Sequence, residues 1–160
     1  MVFHSLTNVR YATVVTLSFI GFLLIGCPTS PPQDTDLKSG FRGIAWKSAL
    51  ADIEGMTSVR EYGGRFVWAT RDSEQLSIGN VPVDAIEYKF IDNAFSAVEI
   101  QFSGSATFKD LIRELESAWG PADLDNRQTN ELVWRLEGVA AKLNYYRMPD
   151  SGTLVFVLKR

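Results

Sequence analysis

Two segments of this chain alternate strictly between apolar and polar residues, and this period of two constrains the fold more than any other feature. Ile86–Phe90 places a large apolar side chain at every second position, and Val98–Phe102 does the same. Asp92 and Asn93, between them, are residue types that favour a tight turn. Because successive side chains of a strand point to opposite faces, the segments predict an antiparallel hairpin with one buried face and one wet face.

The same alternation recurs elsewhere in the chain and predicts further strands. These strands are Phe66–Trp68, Leu76–Ile78, Leu132–Leu136, Val139–Tyr145 and Leu154–Leu158. Turn residues separate the last three of them, with Glu137-Gly138 before the second and Pro149–Gly152 before the third. The carboxyl-terminal part of the chain is therefore predicted to form a second antiparallel meander.

The clearest helix is predicted over residues 107–119. Thr107 is a favourable N-cap, Gly120 can adopt the left-handed closing conformation, and Pro121 prevents continuation. Its apolar stripe at helical spacing consists of Phe108, Leu111, Ile112, Leu115 and Trp119. Such a stripe usually supplies core packing rather than a ligand pocket, and we interpret it as core.

A shorter helix is predicted over residues 47–56. Trp46, Leu50 and Ile53 have the i, i+4, i+7 spacing of one helical face, and Ser48 can cap the start. Gly55 weakens its end.

The order helix, strands, helix, strands predicts an α+β fold. We expect an antiparallel sheet of about six or seven strands with two helices on one face. The block 107–158 has the same pattern as the block 47–102, so the two are candidates for a helix-plus-meander pseudo-repeat. This order of elements is similar to that of β-lactamase-inhibitor-protein-like folds and of small α+β lipoproteins of outer-membrane assembly. The resemblance implies a protein-binding role.

The amino-terminal segment is not ordinary domain sequence. Residues 1–10 contain Arg10 and no acidic residue, and residues 11–25 are a 15-residue largely apolar run. A short positive region followed by an apolar run of this length is typical of a secretory signal, and it is short for a membrane span. We therefore expect residues 1–26 to be a signal peptide.

The four residues that end this run, Leu24-Ile25-Gly26-Cys27, closely resemble a bacterial lipobox. The resemblance implies cleavage between Gly26 and Cys27, and lipid on the sulfur and amine of Cys27, which becomes the first mature residue. The alternative is an uncleaved anchor helix with an incidental cysteine. Both alternatives predict a membrane-attached protein that faces the periplasm or the exterior. Pro28, the residue after the cysteine, does not indicate whether that membrane is the inner or the outer one.

Residues 27–40 are predicted to be the lipidated cysteine and a flexible linker. Residues 28–40 contain three prolines and almost no apolar residue, so they cannot form a core. Residues 41–160 are then one globular α+β domain of ordinary size.

Composition excludes several classes of function. Loss of residues 1–26 removes Arg10 and no acidic residue, so the net charge moves from −3 to −4, which is unsuited to nucleic acid. His4 is the single histidine and Cys27 the single cysteine. The mature domain therefore lacks the histidine and the second cysteine that a Ser-His-Asp or Cys-His site, a His or Cys zinc site, or an internal disulfide would need. We expect no cofactor.

Two acidic motifs are better explained as solvent-exposed surface than as functional sites. Asp123–Asn126 begins like a calcium loop, but the sixth and twelfth positions are Gln128 and Trp134 instead of Gly and Glu, so we expect no metal. Asp110, Glu114 and Glu116 on the predicted second helix lie among basic residues, which is typical of an exposed helix face.

A protein-binding surface is a stronger candidate for a functional site than either acidic motif. Alternation directs one ring of the pair Tyr145-Tyr146 inward and the other outward. Tyr146, Arg147 and Met148 are the predicted partner-binding residues because Tyr, Arg and Met are common at interfaces. The leading hypothesis is a membrane-anchored, non-enzymatic module that binds another envelope protein. The alternatives are a carrier of a small apolar or lipid ligand and a carboxylate-dependent cell-wall hydrolase.

Overall fold

A computed structural model of the chain describes residues 36–126 and 128–159. Gly26, Cys27 and most of the predicted linker lie outside the described residues. The described residues form twelve strands and one α-helix. The strands are β1 (Gly40–Phe41), β2 (Ile44–Ala45), β3 (Met56–Tyr62), β4 (Phe66–Arg71), β5 (Ser77–Ile78), β6 (Val81–Pro82), β7 (Ala85–Ile91), β8 (Ala94–Ser103), β9 (Leu124–Asn126), β10 (Glu131–Arg135), β11 (Val139–Tyr146) and β12 (Ser151–Leu158). The helix, α1, is Ser105–Trp119.

Eight of these strands form one antiparallel sheet in the order β3-β4-β7-β8-β12-β11-β10-β9. Each half of the sheet is a meander, and the last strands of the two halves, β8 and β12, pair at the centre. Two small hairpins, β1–β2 and β5–β6, stand apart from it. The predicted antiparallel sheet is confirmed, but it has eight strands rather than six or seven.

The alternating segments behave as predicted. Ile86, Tyr88 and Phe90 of β7 are buried, whereas Glu87 and Lys89 between them are partly exposed. The turn to β8 is made by Asp92 and Asn93, which have positive φ values of 51° and 64°. Short polar side chains tolerate this left-handed conformation, which matches the twist of the flanking strands.

Helix α1 covers one face of the sheet and buries the predicted stripe. Phe108, Leu111 and Leu115 are buried, and the helix contacts β6 and β8. It begins two residues before the predicted start, with Gly104 at the N-cap and no side-chain cap bond, so the N-cap assigned to Thr107 is wrong. Gly120 ends the helix at the predicted position, with a φ of 79° and its N–H donating to the carbonyl of Glu116, but its ψ of −172° differs from the predicted left-handed conformation.

The shorter predicted helix is wrong. Residues 47–56 contain only a 3-10 turn at Leu50–Asp52. The backbone around Lys47 is bonded to the sheet instead, because Lys47 N donates to Phe95 O and Phe95 N donates to Ser48 O. These long-range bonds replace the local bonds of a helix. The meander is therefore present in both halves, whereas the α-helix is described in the second half alone.

The apolar face predicted for the lost helix still packs on the core. The Trp46 ring stacks on Phe95, with centroids 4.7 Å apart, and its indole N–H donates to Leu37 O at 2.7 Å. Leu37 itself is 3% exposed, so packing begins ahead of Phe41, within the stretch predicted as linker. Among the described residues, one hydrophobic core lies between the sheet and its covering elements.

A buried ion pair fixes the β1–β2 turn to the loop after β4. The side chains of Arg42 and Glu74 are 5% and 9% exposed, and Arg42 Nη1 lies 2.5 Å from Glu74 Oε1. Arg42 also donates to the carbonyl oxygens of Gln75 and Ser77. The hydroxyl of Tyr88 donates to the other oxygen of Glu74. Burial first, and then the bond to Glu74, raises the pKa of Tyr88, so this hydroxyl stays a donor well above neutral pH.

Candidate binding face

The sheet has a second face, opposite α1, whose side chains are not part of the hydrophobic core of the described residues. We call it the uncovered face. Alternation along the central strands directs to it the following side chains: Glu87, Lys89, Ala97, Glu99, Gln101, Ala140, Lys142, Asn144, Thr153, Val155 and Val157. Charged, polar and apolar residues are mixed across it, as on the binding surfaces of many transient complexes.

An aromatic and cationic group of side chains occupies the β3–β4–β7 end of this face. We call Arg60, Tyr62, Phe66, Trp68 and Lys89 the Trp68 cluster. The register places Arg60 and Lys89 on either side of Trp68, as its neighbours on β3 and β7. The Arg60 guanidinium lies 4.4 Å from the Trp68 ring centroid and the Lys89 ammonium 4.7 Å from it. Both distances are typical of cation–π contacts.

The surroundings of Trp68 hold the cluster in place. Arg60 Nη2 also lies 3.0 Å from Glu87 Oε2, so the guanidinium is fixed between a ring and a carboxylate. Trp68 is only partly exposed, and its indole N–H is buried with no hydrogen-bond partner among the described residues. Tyr62 is 74% exposed. The cluster therefore presents an exposed aromatic ring beside a tryptophan that its neighbours already immobilise.

A shallow apolar hollow of about 200 Å³ adjoins the Trp68 cluster. It is lined by Phe66, Lys89, Ile91, Ser96, Ala97, Val155, Val157 and Leu158. Val157 is 43% exposed, which is high for a valine in a central strand. The hollow and the cluster together combine Trp, Tyr and Arg with an apolar depression, and these residue types dominate the binding energy of protein interfaces.

A second ion pair borders the cluster at the β4–β7 end. Arg65 Nε and Nη2 donate to the two carboxylate oxygens of Asp92, both at 2.7 Å. This bidentate pair raises the pKa of Arg65 through the hydrogen bond and the charge of Asp92. The Arg65 guanidinium lies 5.9 Å from the Phe66 ring centroid. The Trp68 cluster is therefore bordered by the charged side chains of Arg65 and Asp92.

The predicted partner-binding residues Tyr146, Arg147 and Met148 lie in different surroundings. Tyr145 is 8% and Tyr146 54% exposed, which confirms the predicted inward and outward rings. Tyr146 lies on the uncovered face, but at the opposite end of β11 from the row that contains Trp68, about 20 Å along the strand. Met148 is 92% exposed beyond that end, whereas Arg147 lines a groove on the covered side.

Three carboxylates of the acidic motifs make contacts within the domain. Asp123 accepts the backbone N–H of Arg135 at 2.5 Å, a structural role. Asp110 pairs with Arg113 one helical turn away, and the Glu114 carboxylate lies against Gly79. Within residues 36–126 and 128–159, no group of three or more His, Cys, Asp or Glu side chains is placed to hold a metal ion.

Comparisons with protein-family models, curated proteins and solved structures find no match to this chain. The geometry of the uncovered face therefore carries the functional argument.

Sequence reasoning missed the Trp68 cluster, although part of the signal was present. Phe66 and Trp68 are two residues apart and must share a face of their strand. Lys89 belongs to the polar face of a strand that was predicted. The missing information was that these strands are neighbours, since only the register brings Arg60, Trp68 and Lys89 into one row.

Proposed function

We propose that this protein is a lipid-anchored envelope protein that binds another protein through the uncovered face of its sheet. The observation that carries the proposal is the Trp68 cluster beside its apolar hollow. A tryptophan held between two cations is already ordered, so binding there costs little further side-chain entropy. Tyr62 and Val157 supply exposed apolar area next to it.

The anchor proposed at Cys27 is compatible with this arrangement. Leu37 is buried in the core between the sheet and its covering elements. A tether that ends at Leu37 would reach the domain on the covered side and leave the uncovered face accessible. The described part of the chain contains no helix that is both long enough and apolar enough to cross a membrane. The resemblance of residues 24–27 to a lipobox supports attachment by acyl chains on Cys27, whose burial in the bilayer contributes about 0.8 kcal/mol per methylene.

The anchor has a direct test in the change Cys27→Ser. In the bacterium that makes the protein, we expect the wild-type chain in the membrane fraction with a mass increased by the acyl chains. The variant should lack that added mass, because it has no thiol to receive the lipid. It should be released from membranes or persist as the uncleaved precursor, as read by fractionation and intact-mass measurement.

Ser30→Ala, three residues further along the linker, is the matched control and should leave mass and location unchanged. A Cys27→Ser chain with the same mature mass and membrane fraction as the wild type would refute lipidation. The inner and outer membrane fractions of the wild type, separated by density, would show which membrane carries it.

The binding face has a test that does not depend on the anchor. A photo-crosslinking amino acid is placed at Tyr62 or Lys142 on the uncovered face, or at Lys47 or Arg113 elsewhere on the surface. We expect one discrete crosslinked partner from the first two positions and none from the last two, as read by mass spectrometry of the adducts.

The combination Lys89→Glu with Val157→Asp should reduce the yield of that crosslink by about tenfold, because it reverses a charge and adds one beside the hollow. Arg113→Glu, a charge reversal at an exposed position on α1, should leave it unchanged. Crosslinks of equal yield from all four positions, or none from the uncovered face, would contradict the proposed face.

A further inference from the structure

A groove on the covered side of the domain is independent of the uncovered face. It lies between the first half of α1 and the strands β9–β11 and has a volume of about 360 Å³. This volume falls in the range of small-molecule sites. The lining residues are Ser105, Phe108, Lys109, Ile112, Asp125, Asn130, Leu132, Tyr145 and Arg147.

The floor of the groove is apolar and rigid. The rings of Phe108 and Tyr145 stack with centroids 5.1 Å apart and an interplanar angle of 18°. Leu132 is 2% exposed. The Tyr145 hydroxyl donates to Asp150, so the polar end of this ring is already satisfied and its position fixed. An apolar ligand body would meet a preformed surface there.

The charges on the walls are unbalanced. Lys109 projects from α1 and Arg147 follows β11, and neither has a carboxylate partner among the described residues. Asp125 also lines the groove, but it has an interaction of its own. In a chain with a net charge of −3, two cations that flank one apolar floor and form no ion pair with another described residue are a local exception.

We propose that this groove binds a small amphipathic monoanion, an unbranched apolar chain that ends in one carboxylate. Lys109 and Arg147 hold the carboxylate by charge-assisted hydrogen bonds, and Arg147 can donate two in parallel. Phe108, Tyr145 and Leu132 cover the chain. Asn130, whose side chain donates to Tyr145 O at 3.5 Å, closes the end of the groove.

The test compares three probes of one chain length: decanoate, decanol and decyltrimethylammonium. They are titrated into residues 36–160, which contain the whole described core, and binding is followed by ¹H–¹⁵N chemical shifts. Decanoate should shift amides of residues 105–112, 130–132 and 145–147. Decanol should bind about 25-fold more weakly, and the cationic probe weaker still, because only the carboxylate meets Lys109 and Arg147.

Variants distinguish the contribution of the two charges to binding from that of the apolar floor. Lys109→Gln and Arg147→Gln should each weaken decanoate binding by about fivefold, and together they should reduce it to the level of decanol. Decanol binding should not change in either variant. Arg135→Gln, an exposed arginine outside the groove, is the matched control and should bind decanoate like the wild type.

Several outcomes would overturn the proposal. These are equal affinity for decanoate and decanol, unchanged decanoate binding in the double variant, shifts centred on the uncovered face, and no binding up to the solubility limit of the probes. The crosslinking results for the uncovered face do not bear on this groove, so the two proposals fail separately.

Discussion

Arg42→Met is expected to destabilise the domain by about 3–5 kcal/mol, as measured by urea unfolding of residues 36–160 at pH 7. The reason is the environment of its partner. Removal of the guanidinium leaves the Glu74 carboxylate, which is 9% exposed in the intact pair, without its cation. The carbonyl oxygens of Gln75 and Ser77 lose a donor at the same time. An uncompensated buried charge costs much more than the net contribution of the pair itself.

A double-mutant cycle distinguishes this from a simple packing defect. Glu74→Leu alone should also destabilise, because it leaves the Arg42 charge buried. The double variant should be more stable than the sum of the two single losses predicts, by about 2 kcal/mol or more. Lys38→Met, which breaks the exposed pair with Glu137, is the matched control and should cost less than about 1 kcal/mol. Additive losses at Arg42 and Glu74 would contradict the described pair.

Gly152→Val is expected to destabilise the domain by more than about 3 kcal/mol, although valine favours strands. Gly152 lies in β12 at the centre of the sheet and is buried. A Cβ at this position would overlap the ring of Phe102 on β8 and the carbonyl oxygen of Asn144 on β11. Phe102 is 1% exposed, so its ring has no free space to enter.

Thr153→Val places the same residue one position further along the strand, where the side chain points to the uncovered face. We expect it to change the free energy of unfolding by less than about 0.5 kcal/mol. The stability of both variants is measured by thermal unfolding followed by circular dichroism. A Gly152→Val domain with wild-type stability would mean that Phe102 does not pack over this glycine.

The fold was predictable where the signal is local. The strands Ile86–Phe90, Val98–Phe102 and Val139–Tyr145 were readable from apolar side chains two residues apart, and α1 from a stripe at helical spacing. The segment 47–56 shows the limit of this reasoning. Its apolar spacing is helical, and its side chains do pack on the core, yet its backbone is bonded to Phe95 on β8. Spacing reports which side chains are buried, and it does not report where the backbone hydrogen bonds go.

The candidate site was less predictable than the fold. Tyr146 is exposed as expected, whereas Arg147 faces a groove on the other side of the sheet. Side chains alternate between two faces only within a strand. Because β11 ends at Tyr146, alternation does not predict the directions of Arg147 and Met148. The Trp68 cluster was missed because its members come from three strands.

By itself, the sequence determined which residues are inner and outer on the strands with strict alternation, such as β7, Val98–Phe102 of β8, and β11, because this depends on neighbours two positions apart. The anchor proposed at Cys27 rests on the sequence motif alone. Only the tertiary structure decided that Arg60, Trp68 and Lys89 form one row, that Arg42 meets Glu74, and that Lys109 and Arg147 flank one groove. Those contacts join residues distant in sequence, and the register that creates them results from packing the whole core at once.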